Sequence, residues 1–190
     1  MKRTRQDAEK TRIAIIAAAE TVFYRHGYHQ TTLETIAREA RVSRGALYWH
    51  FDSKSMLLAE LRCRIEVPNF AISNPKDAVS VSEISELIVS SIMAWITLVQ
   101  NDRSLQRLLL IFLSLEGQSS GCDKIQISNT EKDADNQLAA LFEVINLKAD
   151  NPANLSALQK ASQIKWLVKS LCWGWLHSDK LITLPLYTYE

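Results

Sequence analysis

Apolar residues recur three and four apart between residues 9 and 26, at Ile15/Ile16, Ala19 and Val22/Phe23. That spacing keeps one face of a helix apolar, and Gly27 follows as its stop. Thr31 and Glu34 stand three apart just ahead of Ile36, Ala37 and Ala40, which predicts a capping box and a second helix ending near Arg41. After a short turn, Ser43 caps a third helix over residues 44–50. Asp52 or Ser53 caps a fourth, running from Lys54 to about Glu66, where Pro68 stops or bends it.

A polar connection with Pro75 leads to a second capping box, Ser80 with Glu83. The helix behind it carries Ile84, Leu87, Ile88, Ile92, Trp95, Leu98 and Val99 on a broad apolar face, and Asn101-Asp102 breaks it. Residues 103–116 form another helix, apolar almost all round at 108–113 and so expected to be buried; residues 117–121 are a loop. A helix over about 128–147 turns Leu138, Leu141, Phe142 and Ile145 inward. Beyond the break at Asp150-Asn151-Pro152, a long helix holds Leu155, Leu158, Ile164, Leu167/Val168, Leu171 and Trp175, and residues 178–190 read as poorly structured. With no convincing strand and no internal repeat, the fold class is all-α.

Composition agrees. Hydrophobic residues make up 47% of the chain, enough for a core, while only 5 Gly and 4 Pro interrupt 190 residues. Cys63, Cys122 and Cys172 are odd in number and far apart, which suggests neither a disulfide framework nor a metal site and fits a reducing cytoplasm. No apolar run approaches the length of a membrane span, and the stretch 13–19 after the basic start is read as a folded helix and not a signal peptide. No cofactor motif, phosphate loop, nucleophile elbow or metal-ligand spacing supports an enzyme. Charge is uneven: residues 1–64 hold 12 basic and 7 acidic side chains, the remainder 10 and 14. A basic head on an acidic body points the head at a polyanion.

The two short helices around residues 32–50 have the layout of a helix-turn-helix. Leu47 and Phe51 are placed to pin the second helix, leaving Arg44, Gly45, Tyr48, Trp49 and His50 for a groove of double-stranded DNA. Arg44 suits a bidentate pair with guanine, Gly45 lets the backbone approach, and Tyr48, His50 and Lys54 suit phosphates. Ser43 caps this helix, and Thr32, at the start of the preceding one, adds a hydroxyl and a helix N-terminus. Tyr48 can alternatively be a partly buried aromatic, and Trp49 can pack on the first helix.

Residues 11–61 resemble the DNA-binding domain of the TetR family of regulators. The resemblance rests on Thr32, Ile36-Ala37, Val42-Ser43, Gly45, Leu47-Tyr48, His50-Phe51 and Lys54-Ser55-x-Leu57. Within the family, the run Arg44 to Phe51 is most similar to repressors of multidrug efflux pumps of the AcrR type. The resemblance implies a basic arm (1–8), a helix-turn-helix domain (9–53), a linking helix (54–68) and a ligand-binding and dimerisation domain (69–190). It further implies a homodimer on a palindromic operator, acting as a repressor released by a small-molecule effector. Two departures stand out. Arg41 occupies a turn position where the family usually has Gly, so a left-handed residue is expected there. The last of the family's two long dimer helices is short or missing, since Pro185 interrupts the apolar residues after Trp175.

Aromatic residues beyond residue 70 suit a greasy effector, neutral or cationic, with Trp95, Phe112, Glu66 and Glu116 as candidate lining. Each also has a plainer reading, as core aromatics or solvated helix ends. The dimer interface is expected along Leu158, Ile164, Leu167, Val168, Leu171 and Trp175. The alternative to a repressor is a helical ligand-binding or interaction protein that no longer binds operator DNA tightly.

Overall fold

Side-chain caps set five of the eight helix starts among the residues that the computed structural model describes, 5–70, 80–116, 129–148 and 155–178. Every regular element among them is helical. In chain order they are α1 (Arg5–His26), α2 (Leu33–Glu39), α3 (Arg44–His50), α4 (Lys54–Arg62), α5 (Val81–Asn101), α6 (Arg103–Glu116), α7 (Asn129–Lys148) and α8 (Ala157–His177). Ser43 and Ser53 accept from the backbone N–H of Ala46 and Met56, and Ser80 and Ser156 form full capping boxes with Glu83 and Gln159. Each satisfies orphan N–H groups that a helix start leaves open.

Two boundaries differ from expectation. The cap of α2 is Thr32, whose hydroxyl accepts from Thr35 N–H, because the Thr31 hydroxyl instead donates to the Gly27 carbonyl at 2.7 Å. Helix α4 ends at Arg62 and not near Glu66. Ile65 is buried and its N–H closes a tight turn onto the Arg62 carbonyl, while Phe70 enters a separate core with Ile84 and Leu138. Burial of these two side chains ends the helix before Pro68. The loop at 117–121, the break at 150–152 and the segment after Ser178 lie outside the described residues.

Arg41 has φ 55, the left-handed conformation expected where relatives carry Gly. A Cβ in that region costs roughly 1–2 kcal/mol. Arg41→Gly is therefore expected to stabilise the head by about 0.5–1 kcal/mol, the gain from strain being partly offset by the freedom glycine adds to the unfolded chain. Urea unfolding checks this; an unchanged or lower midpoint removes the strain argument.

The described residues divide into two units. The first holds residues up to Ile65 together with α6 from Ser104; the second holds residues 66–103 with α7 and α8. In the first, α1 packs against α2, α3 and α4. Ile15, Ile16, Val22 and Phe23 of α1 are buried, as are Ile36, Leu47, Phe51, Leu57 and Leu61. In the second, Phe70, Ile84, Ile88, Leu138, Leu141 and Ala161 form a core. Helix α5 is long and apolar enough to cross a membrane by length and composition alone, but its Ile84 and Ile88 are members of this core. Cys172 is also buried, which pushes its thiol up to about 11 and keeps it protonated as an apolar filler.

Candidate DNA-binding surface

Helix α3 has seven residues, too few to persist alone, so its orientation comes from what it buries. Leu47 points into the core of the first unit and Phe51, its C-cap, follows it there. The remaining positions face outward: Arg44, Gly45 and Tyr48 are exposed and Trp49 is 73% exposed. His50 is half-buried, its ring edge-on to Trp49 at 4.5 Å. Trp49 thus does not pack on α1, and Tyr48 is not core.

Gly45 sits inside a helix, where glycine costs roughly 0.5–1 kcal/mol relative to alanine. A Cβ built on it meets nothing within 4 Å. The fold gives no reason for a glycine there; a partner approaching the helix backbone from outside does. Ahead of Gly45, the Arg44 guanidinium reaches the Glu34 carboxylate on α2 at 2.6 Å, with both side chains largely exposed. Such a pair contributes at most about 1 kcal/mol and exchanges readily for a phosphate or a guanine edge. Thr32, exposed at the start of α2, keeps its hydroxyl on Thr35.

Lys54 differs from its expected role. Its ammonium donates to the carbonyls of Tyr28, His29 and Thr31 at 2.7, 3.3 and 3.0 Å and lies 4.4 Å from the Tyr28 ring centroid. Three N–H groups on three carbonyls leave no donor for phosphate, so Lys54 fixes the loop between α1 and α2. Lys54→Met is expected to destabilise the head by about 1–3 kcal/mol, the cost of partly buried acceptors left unpaired. It should leave the salt dependence of DNA binding unchanged. A slope flatter by about one unit would restore the phosphate contact.

The candidates for ligand and dimer contacts are spread over both units. Trp95 is buried and its indole N–H donates to the Glu66 backbone carbonyl at 2.7 Å, while the Glu66 carboxylate is exposed. Phe112, in the first unit, is buried beneath the Arg62 guanidinium at 4.7 Å. The side chain of Glu116 lies outside the described residues. On α8, Leu158, Leu167 and Leu171 are exposed, but Trp175 is buried, Val168 is half-buried and Ile164 packs on the core of the second unit. The exposed apolar strip runs instead through Trp166, Leu167 and Leu171, bordered by exposed Ser170 and half-buried Gly174. Both faces of this helix carry apolar residues at helical spacing, so the pattern alone does not separate them. Sequence reasoning missed Glu20, buried on the same stripe of α1 as Ile16 and Phe23; a charge at an inward position was the available signal.

A short helix pinned by two apolar residues, with an open backbone and exposed arginine and aromatics, is the arrangement of a helix-turn-helix. Residues 15–61 match the model of the bacterial regulatory proteins of the tetR family. Over 61 residues the chain is 49% identical to the HTH-type transcriptional regulator TtgR of Pseudomonas putida, a match covering 32% of this chain and 29% of TtgR. It is 27% identical to the HTH-type transcriptional repressor BepR of Brucella suis over 98% of this chain and 90% of BepR. Among solved structures it is similar to NalD, the secondary repressor of the MexAB-OprM multidrug efflux pump in Pseudomonas aeruginosa. There the TM-score is 0.65 at 23% identity, over 94% of this chain and 90% of NalD. It is also similar to SmeT, the repressor of the Stenotrophomonas maltophilia multidrug efflux pump SmeDEF, with TM-score 0.63 at 23% identity over 92% and 83%. At that identity the two structures speak for the fold. Residues 15–61 are thus similar to the tetR-family DNA-binding domain, and beyond them the likeness is one of fold.

Proposed function

We propose that this protein is a ligand-responsive transcriptional repressor of an efflux-pump or related operon. It acts in the cytoplasm as a homodimer on a palindromic operator and is released by a small apolar or cationic effector. It needs no cofactor and catalyses no reaction. The observation that carries the reading is α3 itself, with Leu47 inside and Arg44, Gly45, Tyr48 and Trp49 outside. Relatives named as regulators of transcription, TtgR in this segment among them, support it. NalD and SmeT are named as repressors of multidrug efflux pumps, which supports the choice of target operon.

In this reading Arg44 contacts a base edge, Tyr48, Trp49 and His50 line the groove, and Thr32 and Ser43 present helix N-termini to phosphates. Trp95 and Glu66 mark one candidate wall of the effector site, with Phe112 and Glu116 as further candidates. Selecting bound duplexes from a random pool tests the whole proposal. Arg44→Ala is expected to cost about 1–3 kcal/mol at one base pair of the selected site. Gly45→Ala should stabilise α3 by roughly 0.5–1 kcal/mol yet weaken binding, because its methyl meets only the partner. No selected sequence would leave a helical ligand-binding protein as the better description, and wild-type binding by both variants would move the DNA contact off this end of α3.

A further inference from the structure

A basic side chain in the first turn of a helix stands at the positive end of its dipole, where stability favours acids. Arg44 opens α3 in this place, and no acid shares that turn. Its counter-charge comes from α2, which packs on α3 within the first unit. There Glu34 Oε1 accepts from Arg44 Nη2 at 2.6 Å. Both side chains are largely exposed, so the pair contributes little to the fold. It does place a carboxylate on the outward surface, beside the residue assigned above to a base edge. A negative charge there repels any phosphate that comes within about 10 Å at ordinary ionic strength, so a surface built only for affinity would not keep it.

A guanidinium holds its N–H donors in a rigid plane, and Glu34 takes one of those on Nη2. Whichever Nη2 hydrogen it uses, one complete two-donor edge, Nη1 with Nη2 or Nε with Nη2, stays clear of the carboxylate. A guanine needs one such edge, for O6 and N7. Arg44 can therefore read a guanine without letting go of Glu34. A phosphate fares differently, because its charge meets the carboxylate as well as the guanidinium. We propose that Glu34 is a positioning residue that sets specificity: it aims Arg44 at a guanine edge and withholds it from phosphates. Its carboxylate lowers affinity for every duplex and raises discrimination between duplexes. This inference rests on the DNA-binding reading above and deepens it.

The test uses the full chain, the duplex selected from a random pool and a duplex of scrambled sequence, each titrated at several salt concentrations. The quantity read is the ratio of selected to scrambled affinity. Glu34→Gln should lower that ratio about fivefold or more, chiefly by tightening the scrambled duplex, whose salt slope steepens by about one unit as Arg44 gains a phosphate. The lost selectivity should fall at the base pair where Arg44→Ala also loses it. In an Arg44→Ala background, Glu34→Gln should leave the ratio within about twofold. Glu39→Gln removes an equal charge from the same helix, where the carboxylate pairs with Arg25 at 3.5 Å, and should keep the wild-type ratio. Glu34 and Arg44 are largely exposed, so neither substitution opens a cavity. A ratio that falls equally with Glu39→Gln reduces the effect to net charge and overturns the proposal. So does a fall that persists in the Arg44→Ala background, which would mean that Glu34 meets a base directly. A wild type that selects no duplex overturns the DNA-binding reading and this proposal together. One that selects a duplex, while Glu34→Gln keeps the full ratio, overturns this proposal alone.

Discussion

Leu47→Ala is expected to unfold the DNA-binding head, while Trp49→Ala, two residues away, leaves it folded and impairs only its contact with DNA. Leu47 is 1% exposed and is the buried residue of a seven-residue helix. A helix that short has no stability of its own, so α3 exists because Leu47 and Phe51 hold it against α1 and α2. Truncating a buried leucine costs about 2–5 kcal/mol, a large share of the roughly 5–15 kcal/mol that holds a domain together. Trp49 is 73% exposed, with its ring against the edge of His50. Its truncation should change stability by no more than about 0.5 kcal/mol. Thermal melts followed by circular dichroism, paired with anisotropy on the selected duplex, separate the two. Equal loss of stability in both variants would mean that Trp49 is held inside the head and that the outward face of α3 is misassigned.

The elements that were legible in the sequence are those whose ends are decided locally. Ser43 before α3 and Ser80 with Glu83 before α5 need only a hydroxyl and a carboxylate at fixed spacing, so reading them from the chain suffices. The outward residues of α3 were legible for a related reason: once Leu47 is inside, helical geometry turns Tyr48 and Trp49, one and two residues on, to other faces, while Arg44 stands in the open first turn. Arg41 was legible through the family, whose glycine marks a left-handed residue that this chain keeps without the glycine.

What stayed hidden depends on tertiary partners. Two adjacent threonines compete for the cap of α2, and only the Gly27 carbonyl, four residues back, decides that Thr31 turns away. Lys54 reads as a phosphate contact until the three carbonyls of the loop between α1 and α2 close around it. Helix α6 reads as part of a ligand domain because it follows α5, yet Glu20 and Arg62 bind its side chains within the first unit.

Leu167→Arg is expected to convert the proposed dimer to monomer and to lower operator affinity more than 100-fold at nanomolar protein. In a two-fold dimer an apolar strip left exposed on each monomer is buried by the same strip of its mate. On α8 that strip is Trp166, Leu167 and Leu171, with Leu167 60% exposed and with exposed Ser170 and half-buried Gly174 at its border. Gly174 adds a second reason. It lies within the helix, and a Cβ built on it meets nothing within 4 Å, so its small size serves something outside its own chain. Two helices that crossed near Ser170 and Gly174 would approach closely, and an arginine at Leu167 would then lie near its own symmetry copy. Burying two like charges without partners costs several kcal/mol, enough to dissociate a contact near the lower end of stable interfaces, about 1,200 Å² in total. The control is Trp175→Arg. Because Trp175 is buried within its own chain, that variant should lose helicity and melt early instead of becoming a folded monomer. Sedimentation velocity from nanomolar to micromolar protein, with circular dichroism on the same samples, distinguishes the two outcomes. A Leu167→Arg protein that still sediments as a dimer at nanomolar concentration would move the interface off this face of α8.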